Sequence, residues 1–124
     1  MNDNAEGMIF DWSSGPLAEG LQCYRNQKFW HAHEHWETVW LQCGEPDKTF
    51  LQALIQITAA FHHVQRRNYI VAASLMRRAL LRLERYPDEY GGIAVGQLRD
   101  SVRAWLENLK NADSMREIGF PVIR

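Results

Sequence analysis

Apolar residues return at helical spacing in five stretches of the chain. After Ser13-Ser14-Gly15-Pro16, a start signal with proline near the first helical position, Leu17, Leu21 and Tyr24 predict a short helix to about Asn26. A second helix is expected from near Lys28 to Gln42, stopped by Gly44 and Pro46. Asp47 is placed to cap a third, whose apolar stripe is Phe50, Leu54, Ile57, Phe61 and Val64. Beyond a turn around Asn68, a fourth carries Ile70, Leu75, Met76, Ala79, Leu80 and Leu83, and Tyr86-Pro87-Asp88 ends it. Gly91-Gly92 marks a loop before a fifth helix with Leu98, Val102, Trp105, Leu106 and Leu109. No stretch shows the alternation of a half-buried strand.

The pattern is that of an all-α fold, a compact bundle of about five mostly antiparallel helices. Its expected core centres on Phe29, Trp36, Trp40, Leu54, Ile57, Phe61, Leu80 and Leu83. Residues 14–112 form one helical domain, 1–13 a loose tail that is polar apart from Met8-Ile9-Phe10 and Trp12, and 113–124 an irregular tail through Gly119 and Pro121. Overlaying the second helix on the fourth sets Ala32 against Ala73 and preserves little else, which is no repeat.

At 124 residues the chain suits one domain that buries about two-thirds of its unfolded surface. No apolar run approaches the roughly 20 residues of a bilayer span, and the start Met1-Asn2-Asp3-Asn4-Ala5-Glu6 lacks the basic and apolar stretches of a secretory signal. A cytoplasmic protein with no membrane partner is expected. Cys23 and Cys43 form no CxxC pair, against a disulfide framework or a thiolate zinc site. A net charge of -1 recruits no nucleic acid. Arg66, Arg67, Arg77, Arg78, Arg82 and Arg85 nevertheless crowd one stretch. Without interleaved aromatics they read as a solvated helix face, with Arg78, Arg82 and Arg85 in one strip, ahead of an anion-binding patch.

The chemistry concentrates in FWHAHEHWETVW, Phe29 to Trp40, where three histidines, two glutamates and three tryptophans share about three helical turns. On a helical wheel Phe29, His33, Glu37 and Trp40 fall on one face with Trp36 at its edge, and this face is expected to be buried. His31 and His35 lie on the other side, toward solvent. Buried His33 and Glu37 need polar partners, and the third helix offers Gln52, Gln56 and His63 on one face beside small Ala59 and Ala60. The expected cluster is His33, Glu37, Gln56 and His63, with Glu34 at its rim and His62 pointing away.

Three uses fit such a cluster. It can be a satisfied network that fixes helix register. It can bind a divalent metal, zinc or iron, through His33, Glu37 and His63, although His33-Glu34-His35-Trp36-Glu37 is not the HExxH of zinc proteases. It can hold a small molecule, with His33 or His63 as general base and Gln56 orienting the ligand.

These residues resemble a bacterial and archaeal family named only as domain of unknown function 309. Its first hallmark is similar to Phe29 or Trp30, Ala32, His33, Glu34, Glu37 and Trp40, with His31 in place of a glutamate. Its second is similar to Gln52, Leu54, Ile55, Gln56, His63 and Asn68, with Ala53 and Arg67 in place of two glycines. Tyr86-Pro87 and Gly91-Gly92 also look familial, so the resemblance spans about residues 17–109. It implies a small helical fold and no established activity. The reading is a structural or binding module, the alternative a metal-dependent or acid–base enzyme using His33, Glu37 and His63. A protein partner or a second copy of the chain is left open.

Overall fold

The structure, a computed structural model, describes residues 10–111 and 118–124. Its helices are α1 (Gly15–Arg25), α2 (Phe29–Trp40), α3 (Asp47–Gln65), α4 (Tyr69–Leu83) and α5 (Val95–Lys110). Each packs on the next along the chain, as short antiparallel connections require. The fold is all-α apart from one feature too short for periodicity to reveal. Two-residue strands β1 (Glu89–Tyr90) and β2 (Ile93–Ala94) pair across Gly91-Gly92. Both glycines have positive φ, 60° and 80°, the conformation a two-residue hairpin turn demands.

The turns α1–α2 and α3–α4 are built alike. Gln27 takes a left-handed φ of 60°, its N–H donating to the Tyr24 carbonyl at 2.9 Å while Lys28 N–H donates to that of Cys23 at 2.8 Å. Arg67 has the same φ, with matching bonds to Val64 at 2.9 Å and from Asn68 to His63 at 2.8 Å. Both are Schellman ends, normally made by glycine, which accounts for the glycine expected at position 67. Superposing the turns matches Leu17 with Ile57, Gly20 with Ala60, Leu21 with Phe61 and Trp36 with Met76, all buried. The chain thus contains two equivalent helical hairpins. Ala32 answers to Ala72, one position from the Ala73 that the sequence overlay selected; both alanines are wholly buried.

Between α1 and α2 the Trp36 indole is fully enclosed and donates from Nε1 to the Leu17 carbonyl at 3.1 Å. A Cβ on Gly20 would overlap that ring. The rest of the expected core, Phe29, Leu54, Ile57, Phe61, Leu80 and Leu83, is buried. Trp40 departs from the expectation. It is half-buried near the end of α2, with the Lys48 ammonium 4.4 Å from its ring centroid. Trp40→Ala is therefore expected to cost about 1–2 kcal/mol in urea denaturation, below the ~3–5 kcal/mol of a fully buried tryptophan.

The flanking segments pack onto the helices where they are described. Phe10 and Trp12 are buried, and Trp12 Nε1 donates to the Gly91 carbonyl at 2.7 Å. Tyr24 Oη donates to the Pro121 carbonyl at 2.5 Å, and the Trp105 and Phe120 rings stack at 5.2 Å. Residues 1–9, with Met8 and Ile9, and residues 112–117, with the expected domain boundary, lie outside the described residues. Among the described residues no helix is long and apolar enough to cross a membrane.

Candidate functional site

The buried stripe of α2 is Phe29, Ala32 and Trp36, spaced i, i+3, i+7. This corrects the expected inward face of Phe29, His33, Glu37 and Trp40. The helix is turned because Trp36 must enter the gap over Gly20 in α1 while Ala32 allows close approach. His33 and Trp40 then sit on the flank, partly covered, and the Glu37 side chain is 50% exposed against 15% for His33. His33 Nε2 lies 3.7 Å from Glu37 Oε2, an ion-pair distance longer than a hydrogen bond. No ion pair joins Glu37 to His63 among the described residues.

The histidines of the two helices meet through an indole. Trp30 stacks on His33 at 4.5 Å with 16° between planes, and also contacts His62 at 5.1 Å. His62 in turn meets His63 edge-on at 5.4 Å. His33 and His63 thus belong to one array of rings, whose outer member Trp30 is 43% exposed. Along the α2–α3 boundary four buried side-chain atoms have no hydrogen-bond partner among the described residues: His33 Nδ1, Trp40 Nε1, Gln56 Oε1 and His63 Nδ1. Glu34, expected at the rim, is exposed and pairs with His31 at 3.6 Å. His31 is exposed as expected, but His35 is partly covered and lies 3.5 Å from Glu19 of α1.

Trp30 and His62 are the members that sequence reasoning missed. Trp30 and His33 are three apart, hence neighbours on one helix face, and that signal was present. His62 is set about 100° from His63, yet at a helix–helix boundary successive positions reach opposite lips of the same groove.

His62 resists protonation. The His62 pKa is lowered by burial first, then by the neighbouring His63, Arg66 and His33. The unfolded chain therefore takes up this proton at a higher pH than the folded one. Stability attributable to His62 is complete above its unfolded pKa, near 6.5, and declines as pH falls from there through the lower folded value. Replacing His62 by Asn should flatten this part of the stability profile between about pH 7.5 and 5, measured by urea unfolding.

As for metals, among the described residues no group of three or more His, Cys, Asp or Glu side chains is placed to hold an ion. Among the described residues, Cys23 and Cys43 are not joined in a disulfide.

Residues 17–75 match the family described as Domain of unknown function (DUF309). They belong to it. The matched segment runs from α1 into the middle of α4, which takes in both hairpin turns and the ring array. It stops short of the 109 reached by the resemblance of the motifs. A protein of Aquifex aeolicus (strain VF5), described as uncharacterized, is 32% identical over 106 residues, which is 85% of this chain and 30% of that protein. The chain therefore spans about 30% of the length of that curated relative.

Proposed function

We propose that this DUF309 segment is a binding module whose α2–α3 boundary takes a small polar ligand. The observation that carries the reading is the set of four unpartnered buried atoms, on His33, Trp40, Gln56 and His63. A buried polar atom without a partner costs about 1–3 kcal/mol. Four in one boundary, beside an exposed Trp30, suit a surface completed by something else. The indole of Trp40 donates, the Gln56 carbonyl oxygen accepts, and each imidazole can do either. A ligand carrying both donors and acceptors on a small frame suits the His33 and His63 end of this boundary, with the ring of Trp30 as its cover.

An acid–base reaction at the same place is favoured by one observation, the Glu37 carboxylate beside His33 Nε2. There Glu37 would orient the imidazole as general base, whereas His33, Glu37 and His63 are not placed together to hold zinc or iron among the described residues. A cytoplasmic setting fits two cysteines that are not joined in a disulfide. A protein partner or second copy is compatible with the exposed Trp30, and nucleic acid is not part of the proposal.

The deciding experiment is a high-resolution crystal structure of untagged protein purified without chelator, with metal analysis of the same sample. Density for an organic group touching His33 Nδ1, Gln56 Oε1 and His63 Nδ1 supports the module. Ordered waters that satisfy all four atoms overturn it in favour of a structural network. Stoichiometric zinc or iron, lost on Glu37→Gln, overturns it in favour of a metal site.

A further inference from the structure

A second hollow, of about 570 Å³, opens between α4 and α5. Its floor is apolar, made by Ala73, Leu106 and Leu109, with Ile70, 84% exposed, at its edge. Its rim is cationic, carrying Arg67, Arg77 and Lys110, with no carboxylate in the lining among the described residues. Lys110 is already engaged, its Nζ 2.8 Å from Glu107 Oε2. Arg67 and Arg77 are exposed and form no ion pair among the described residues.

The equivalence of the hairpins explains why the hollow exists. In the register that superposes the two turns, Trp30 answers to Ile70, His33 to Ala73 and Glu37 to Arg77. On the first hairpin, stacked rings fill the flank and a carboxylate edges it. On the second, smaller apolar side chains line a hollow, and the charge beside it changes sign. One architecture thus presents two different surfaces.

We infer that the α4–α5 hollow binds a small amphipathic anion, a free alkyl carboxylate. Its chain would lie on Ala73, Leu106 and Leu109 beside Ile70, and its carboxylate at the cationic rim that Arg67 and Arg77 supply. The volume lies within the range of small-molecule pockets. Arginine recognises a carboxylate through paired N–H donors, and the neighbouring apolar floor supplies burial for a chain. A bare inorganic anion would leave that floor wet, and an uncharged alkane would leave the two arginines unused. This site shares no residue with the α2–α3 boundary and stands or falls independently of it.

Decanoate, decanol and acetate, titrated into the full chain by calorimetry at fixed ionic strength, separate charge from chain. Decanoate is expected to bind, decanol about ten-fold more weakly, and acetate not measurably. Arg67→Gly is the most telling variant, because glycine suits the left-handed φ at this position and the turn survives loss of the cation. Arg67→Gly and Arg77→Gln are each expected to weaken decanoate about ten-fold with circular dichroism unchanged. The proposal is overturned if folded protein does not bind decanoate. It is equally overturned if decanol binds as tightly, or if both arginine variants bind decanoate like the parent protein.

Discussion

Gly20→Ala should destabilise the protein by about 2–3 kcal/mol, although alanine is the better helix former by about 1 kcal/mol. Gly20 lies within α1, so intrinsic propensity alone would make this substitution stabilising. The sign reverses because the added methyl would occupy the space of the Trp36 indole. That ring has no room to retreat. It is fully buried, tied by Nε1 to the Leu17 carbonyl, edge-on to Trp12 at 5.9 Å and stacked on Tyr24 at 6.3 Å. The same change in a Trp36→Leu background should cost nothing, because the atoms that meet the methyl are gone. Trp36→Leu alone is expected to lose about 3 kcal/mol. A double-mutant cycle by urea denaturation, followed by circular dichroism, would then show coupling of at least 2 kcal/mol. A higher midpoint for Gly20→Ala in the parent protein would mean that Trp36 is not seated as described.

The helices could be read from periodicity because their apolar stripes are long and bounded by proline, glycine and asparagine. What could not be read was the angle at which α2 is set. On a wheel, an arc through Phe29, Trp36 and Trp40 outweighs one through Phe29, Ala32 and Trp36, because alanine contributes little hydrophobicity. Packing reverses that ranking: Ala32 matters for being small, and Trp36 for fitting over Gly20. Glu37 followed the wrong arc and was placed inside, whereas half of its side chain is in solvent. The repeated hairpin escaped notice for a related reason. Its left-handed turn residues are Gln27 and Arg67, which carry none of the glycine signal that marks such turns. His33, Gln56 and His63 were legible as polar residues on otherwise apolar faces, and each has an unpartnered buried atom. Trp30 and His62 were not, because each looked like an outward neighbour of a more telling residue.

Gln56→Met is expected to stabilise the ligand-free protein by about 1–2 kcal/mol while abolishing the proposed α2–α3 binding. Methionine nearly matches glutamine in shape, so the change removes the carbonyl oxygen without opening a cavity. That oxygen is buried and accepts from no protein group among the described residues, so its desolvation is a cost that a thioether does not incur. His63→Leu should act in the same direction for its unpartnered Nδ1, with a smaller gain because leucine fills less of the ring's space. Gln52→Met, on the same helix and with no orphaned buried atom, serves as the control and should stay within about 0.5 kcal/mol of the parent. Binding surfaces commonly sacrifice stability in this way, holding polar groups ready for a partner at the expense of the unoccupied fold. A purely structural network would behave oppositely. There Gln56 would already be satisfied by ordered water, and its replacement would strip a hydrogen bond and lower stability by about 1–3 kcal/mol. Thermal unfolding of the three variants resolves the two cases by sign. A midpoint for Gln56→Met several degrees below that of the parent would end the case for a ligand at this boundary.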